Sequence, residues 1–83
     1  MPEVTVYTTS TCPWCSKLKE FLKEEGIAFT ELDVGEDPEA ARRMVKLTGQ
    51  RSVPVTTIGG QIIIGYDPEG IRAALAETEA EEG

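Results

Sequence analysis

Alternating and helical patterns of hydrophobic residues divide the first 34 residues into a strand, a helix and a second strand. Residues 3–8 alternate apolar and β-branched side chains, a pattern typical of a buried strand. From Pro13, apolar residues recur at helical spacing as far as Leu22, and Gly26 follows as a predicted C-terminal cap. Alternation returns over residues 27–34 and predicts the second strand.

Two later helices are predicted from the same start sequence. Asp-Pro-Glu occurs at 37–39 and again at 67–69, so an acidic N-cap residue precedes a proline at the first helical position. The predicted apolar faces comprise Ala40, Ala41, Met44, Val45 and Leu47 in one helix and Ile71, Ala74 and Leu75 in the other. Between the helices, residues 53–58 and 61–64 are rich in β-branched side chains and flank Gly59-Gly60, which predicts a β-hairpin.

The resulting order, βαβ-α-ββ-α, predicts an α/β domain. A βαβ unit forms a parallel strand pair with a right-handed crossover, and the hairpin adds antiparallel strands. We therefore expect a four-stranded mixed sheet with three helices packed on it. The 83 residues fit one domain, 1–83, and we interpret residues 77–83 as a helix end that frays into an acidic tail.

Composition and charge exclude several classes of function. Eight basic residues against fifteen acidic ones give a net charge of −7, which argues against binding to nucleic acid or an anionic membrane. No apolar run approaches the ~20 residues of a membrane span, and the N-terminus has no signal-peptide features, so we expect a cytoplasmic protein. The absence of histidine excludes Ser-His and Cys-His catalytic pairs. Two cysteines are too few for a secreted disulfide scaffold of this size.

Both cysteines lie in Cys12-Pro13-Trp14-Cys15, where the first strand meets the first helix. With Cys12 at the N-cap and Pro13 at the first helical position, the amides of Trp14 and Cys15 point at the Cys12 sulfur. These amides and the helix dipole favour its thiolate form. Cys15 lies one turn further, close enough to form a disulfide. This geometry permits Cys12 to attack a substrate disulfide and Cys15 to resolve the mixed disulfide.

Other interpretations of the same residues stay open at this point. The cysteines could be core residues, and a zinc site would need a dimer because one chain supplies only two of four ligands. An iron–sulfur cluster could bridge two chains, with thiols from other molecules completing its ligand set. Alternatively, the protein could be an adaptor in which the motif is vestigial. Trp14 is either a core residue or an exposed platform beside the sulfur. A CxxC next to a βαβ pattern favours redox chemistry.

Pro54 opens an otherwise regular strand, where a proline removes a ladder donor. It is either an ordinary strand-initiating proline or the second residue of a cis Val53–Pro54 bond. A cis bond would leave the Val53 backbone free to hold an extended peptide or a thiol beside the CxxC.

These segments resemble the glutaredoxin family. The matching stretches are TVYTTSTCPWC, TGQRSVPV, IGG and GYDPEG, from Val4 to about Leu75, and CPWC differs from the usual CPYC by one aromatic residue. The resemblance implies the thioredoxin fold, with the sheet order second strand, first strand, then hairpin. It also implies Cys12 as nucleophile, Cys15 as resolving thiol, a redox-active Cys12–Cys15 disulfide and a cis Pro54.

The resemblance further implies a groove for substrate or glutathione. Its residues are Pro13, Trp14, Arg51, Ser52, Val53, Pro54, Gly65, Tyr66 and Asp67. Two stretches depart from the glutaredoxin pattern, since residues 8–11 lack the usual lysine and residues 64–68 lack the Gly-Gly-Cys segment, although the acid Asp67 remains. Residues 65–69 also look like the corresponding segment of small redoxins dedicated to ribonucleotide reductase, which take electrons from thioredoxin reductase.

We therefore expect a small dithiol–disulfide oxidoreductase that reduces protein disulfides or glutathione mixed disulfides. Its electron donor would be glutathione or thioredoxin reductase, and its partners could include ribonucleotide reductase. We expect no bound cofactor or metal, glutathione as a candidate co-substrate, and a monomer. The alternative is a carrier of metal or an iron–sulfur cluster that uses the same two cysteines in a dimer.

Overall fold

A computed structural model describes residues 3–50 and 52–82, with side chains described as far as Glu77. Its elements in chain order are β1 (Val4–Thr8), α1 (Pro13–Glu24), β2 (Thr30–Asp33), α2 (Pro38–Thr48), β3 (Val55–Ile58), β4 (Gln61–Ile64) and α3 (Pro68–Glu82). The sheet order is β2-β1-β3-β4, with β1 parallel to β2 and β3 antiparallel to both β1 and β4. The predicted α/β architecture, a thioredoxin-like fold, is confirmed.

Two hydrophobic clusters hold the helices against the sheet. The larger one joins the strands to α1 and α3 and contains Val4, Val6, Leu18, Phe21, Leu22, Ile58, Ile63, Ile71 and Ala74. The smaller one joins the strands to α2 and contains Tyr7, Ala40, Met44 and Val55. Since β1 contributes to both clusters, it is buried on both faces, as its sequence predicted.

The hairpin turn is also confirmed. Gly59 and Gly60 have φ angles of 53° and 98°, both in the left-handed region that two-residue hairpin turns require and that glycine adopts without steric cost.

Two strands begin two or more residues later than predicted. β2 begins at Thr30 instead of residue 27, because Ile27 and Phe29 pack against the larger cluster from a loop without pairing to β1. Their alternation therefore reflects burial alone. β3 begins at Val55 instead of residue 53, because Pro54 has no amide hydrogen to donate to a ladder.

One prediction about helices was wrong. Leu47 was expected on the buried face of α2, but it is 42% exposed because the residues of α2 in the smaller cluster end at Met44. The helix α3 extends to Glu82, and the fraying expected over residues 77–83 stays a prediction.

Within the described part of the chain, no helix is both long and apolar enough to cross a membrane.

Candidate active site

The N-terminus of α1 positions the first cysteine. Cys12 is the N-cap residue, with an extended backbone at φ −92° and ψ 111°, and Pro13 follows as the first residue of the helix. The Cys12 Sγ accepts a hydrogen bond from the backbone N–H of Cys15 at 3.3 Å. Of the two amides predicted to donate to the Cys12 sulfur, the structure confirms that of Cys15 and not that of Trp14. An N-cap side chain commonly reaches the amide of the third helical residue, which here is Cys15.

A second chain segment lies against the same sulfur. The Cys12 thiol donates to the Val53 carbonyl oxygen at 3.9 Å, across 41 positions of sequence. The Val53–Pro54 bond is cis, so of the two interpretations of Pro54 the cis one is correct. The Pro54 carbonyl accepts the N–H of Gly65 at 2.8 Å. Three separate segments therefore meet at the start of α1.

The two sulfurs have different environments. Cys12 is half-buried, whereas Cys15 is only 1% exposed, and both are free thiols, so the structure describes the dithiol form. Burial, followed by the hydrogen bond to Cys12, raises the pKa of the Cys15 thiol to about 11. A backbone hydrogen bond at Thr9 and the charge of Lys19 act in the opposite direction without cancelling the shift. The arrangement therefore keeps Cys15 protonated at neutral pH.

A shallow cavity of about 300 Å³ opens beside the sulfurs. Its walls are Trp14, Val53, Pro54, Gly65 and Tyr66, all of which belong to the groove implied by the family resemblance. The rings of Trp14 and Tyr66 lie 5.8 Å apart between centroids, tilted by 31°. Trp14 is 53% exposed and Tyr66 40%, so Trp14 is an exposed platform and not a core residue.

Among the described residues, the other predicted groove residues do not line this cavity. Pro13 and Ser52 are exposed, and Arg51 lies outside the described residues. Asp67 does not contribute a wall to the cavity, since its carboxylate accepts the N–H of Gly70 at 3.0 Å and so caps the start of α3. The role of these residues in holding glutathione stays a prediction.

Sequence reasoning missed Lys17. Its Nζ lies 4.9 Å from the centroid of the Trp14 ring, a cation–π contact that places a positive charge at the rim of the cavity. The signal was present in the sequence, because Trp14 and Lys17 are three residues apart and such pairs meet on a helix surface.

A polar network beside α1 was also missed. Glu31 accepts hydrogen bonds from Lys19 Nζ at 2.9 Å and from the buried Thr8 hydroxyl at 2.8 Å. The Lys19 contact, with help from Thr8, lowers the pKa of the Glu31 carboxyl. No sequence signal identifies this network, because Glu31 reaches Thr8 only through the pairing of β1 with β2.

Comparison with known proteins agrees with this geometry. The family model for Glutaredoxin matches residues 4–63. An uncharacterized glutaredoxin-like 8.6 kDa protein in the rubredoxin operon of Clostridium pasteurianum is 42% identical over 64 residues, covering 77% of this chain and 85% of that protein. Glutaredoxin 3 of Escherichia coli is 41% identical over 69 residues, covering 81% of each chain.

Solved structures give the same assignment. The glutaredoxin-like protein NrdH-redoxin from Escherichia coli is 30% identical and matches with a TM-score of 0.77, over 86% of this chain and 92% of that one. Together with the family match and the two adjacent thiols at the start of α1, this similarity settles the family. The chain belongs to the glutaredoxin family and is a thiol–disulfide oxidoreductase.

Proposed function

We propose that the protein reduces protein disulfides and glutathione mixed disulfides in two steps, with Cys12 as nucleophile and Cys15 as resolving thiol. In the first step the Cys12 thiolate attacks one sulfur of the substrate disulfide, and the other sulfur leaves and takes up a proton. The observation that carries the proposal is the half-buried Cys12 Sγ, capped by the Cys15 amide at 3.3 Å, with the second thiol buried directly behind it.

In the second step Cys15 loses its proton and attacks the Cys12 sulfur. The Cys12–Cys15 disulfide forms, and the remaining substrate sulfur leaves as a thiol, so the substrate gains two electrons and two protons. The hydrogen bond and charge of Cys12 contribute to the raised pKa of Cys15. Both contributions end once Cys12 is in a mixed disulfide. The resolving thiol therefore ionises more readily after the first step than before it.

The cavity beside Cys12 supports the choice of substrate. Its aromatic walls, Trp14 and Tyr66, suit the apolar part of a thiol compound or of a cysteine-bearing peptide. In this proposal Pro13, Arg51, Ser52 and the Val53 backbone complete the groove, and Asp67 contacts the γ-glutamyl end of glutathione. No cofactor or metal takes part, and glutathione is a co-substrate.

Two electron donors are compatible with this proposal. The similarity to glutaredoxin 3 favours glutathione. The similarity to NrdH-redoxin, whose structure is described in terms of a thioredoxin-like activity profile, favours thioredoxin reductase, with ribonucleotide reductase as a candidate substrate. The experiment supplies NADPH to the oxidised protein with either glutathione and glutathione reductase or thioredoxin reductase. Recovery of the dithiol in one arm identifies the donor.

Single-cysteine variants test the assigned roles. We expect Cys12→Ser to abolish reduction of both protein and glutathione mixed disulfides. Cys15→Ser should retain exchange with glutathione mixed disulfides, which needs one thiol, and lose reduction of protein disulfides. Equal loss of both activities in Cys15→Ser would contradict the assignment. We further propose a monomer that acts in the cytoplasm; a coloured or zinc-containing dimer would instead support the carrier alternative.

A further inference from the structure

A groove along α2 is separate from the cavity at Cys12. Its volume is about 510 Å³, within the usual range of ligand sites. Its walls are mostly apolar, with two cationic side chains among them: Val34, Pro38, Ala41, Met44 and Val45, and the cations Arg42 and Lys46. None of these residues belongs to the active site described above.

The shape of the groove suits a polypeptide segment. On α2 the lining residues recur three to four positions apart from Pro38 to Lys46, so they follow one side of the helix for about 12 Å. Val34, in the loop after β2, completes the lining. A groove that extends along two turns of a helix accommodates successive side chains of an extended peptide better than a compact small molecule.

The charge of the groove points to an acidic ligand. Arg42 and Lys46 are exposed and one helical turn apart, and Arg43 adds a third cation on the same helix. Among residues 3–50 and 52–77, whose side chains the structure describes, none of these three forms an ion pair. Glu39 lines the same surface as the three cations, which leaves an excess of two positive charges there on a chain of net charge −7.

One end of the groove lies at the same edge of the sheet as the nucleophile. Val34, which lines this end, donates its N–H to the Thr8 carbonyl at 2.9 Å. The next residue, Thr9, accepts the N–H of Cys12 at 3.4 Å. The Val34 end of the groove is therefore connected to Cys12 through two neighbouring residues of β1 and the loop that follows it.

We propose that this groove binds an acidic segment of a redox partner protein. An apolar side chain of the segment inserts between α2 and Val34, and flanking carboxylates face Arg42 and Lys46. The identity of the partner, a disulfide substrate or a reductase, rests on the proposed function. The binding of an acidic segment does not depend on it.

Binding is tested first with a cysteine-free peptide of alternating leucine and glutamate. The ¹⁵N-labelled reduced protein is titrated with this peptide and with a matched peptide in which lysine replaces glutamate. We expect amide shift changes at Ala41, Val45 and Lys46 with the acidic peptide only, weakening as sodium chloride is raised. Shift changes confined to Trp14 and Tyr66, or none at all, would overturn the proposal.

Charge reversal locates the binding. We expect Lys46→Glu to weaken peptide binding about fivefold, since it replaces an exposed attraction with a repulsion. Lys23→Glu makes the same change of charge on α1 and should leave the affinity unchanged. Equal weakening in the two variants would mean that net charge alone attracts the peptide, which contradicts a specific groove.

Filling the groove separates a peptide site from a small-molecule site. Ala41→Phe adds bulk at a half-buried wall position without changing charge and should abolish peptide binding. Tighter binding of dodecanoate than of the acidic peptide would refute the proposal in favour of a small-ligand site. Because the peptide has no cysteine, these results are independent of disulfide reduction, and loss of activity in the cysteine variants leaves them interpretable.

Discussion

The contrast between the two thiols predicts a large difference in their reactivity. Cys15 is 1% exposed and its pKa is raised to about 11, chiefly by burial and then by the hydrogen bond to Cys12. We expect an alkylating agent added to the reduced protein at pH 8 to modify Cys12 first. Cys15 should react far more slowly than the same residue in the unfolded chain.

The size of the effect follows from the pKa shift. At pH 8 a thiol of pKa about 11 is ionised in roughly one molecule in 1,000, against about one in ten for a thiol at the ordinary value of 9.0. The stronger nucleophilicity of the more basic thiolate recovers about tenfold of this hundredfold deficit. The lower ionisation alone therefore slows the alkylation of Cys15 by about tenfold, and the burial of its sulfur slows it further.

The assay follows iodoacetamide modification of each cysteine by peptide mass spectrometry between pH 7 and 11, with urea-unfolded protein as reference. Cys12→Ser is the informative variant, because it removes the sulfur that contributes the second cause of the shift and leaves the burial. The pKa of Cys15 in this variant should be lower than in the unmodified chain and still above 9. A Cys15 that reacts as fast in the folded as in the unfolded chain, or returns to 9 in Cys12→Ser, would refute the reasoning.

Four further predictions concern stability and substrate binding. The Thr56 hydroxyl is fully buried and has no hydrogen-bond partner among the described residues, so Thr56→Val should stabilise the fold by about 1 kcal/mol in urea unfolding, whereas Thr57→Val on the other face should not. Asp37→Ala removes the cap of the Glu39 and Ala40 amides and should cost about 1 kcal/mol, with Asp37→Asn close to the unmodified chain. Trp14→Ala removes a cavity wall and should raise the KM for glutathione mixed disulfides about fivefold with kcat little changed; a fall in kcat alone would contradict this. Because the folded chain holds the Cys15 proton more tightly than the unfolded chain, stability should fall by up to about 3 kcal/mol between pH 9 and 11, and Cys15→Ser should lack this fall.

Features that depend on a few neighbouring residues were predictable from the sequence. The cap at Asp37 involves only the next three residues, and its carboxylate accepts hydrogen bonds from the expected backbone amides. The Gly59-Gly60 turn is similarly local. The position of Cys12 at the start of α1 belongs to the same group, because the cap, the proline and the helical stripe are adjacent in the chain.

Features that depend on how distant segments pack against each other were not predictable in detail. Where β2 begins is decided by which of its residues reach β1, and the alternation of Ile27 and Phe29 carries no information on pairing. The exposure of Leu47 depends on how far the smaller cluster extends along α2. The contact of Tyr66 with Trp14 needs both α1 and the loop after β4 in place, so the sequence indicated the two residues separately and not their pairing.

The burial that sets Cys15 apart is a consequence of helix packing. Cys12, at the N-cap, has an extended backbone that holds its sulfur over the end of the helix. Cys15 is already helical, and with Leu18 and Leu22 it forms a row at spacings of three and four on the buried side of α1. The same packing that fixes α1 on the sheet therefore keeps the second thiol protonated. It follows that substitutions in this row that loosen the helix should also alter the order in which the two sulfurs react, although none of those residues touches a substrate.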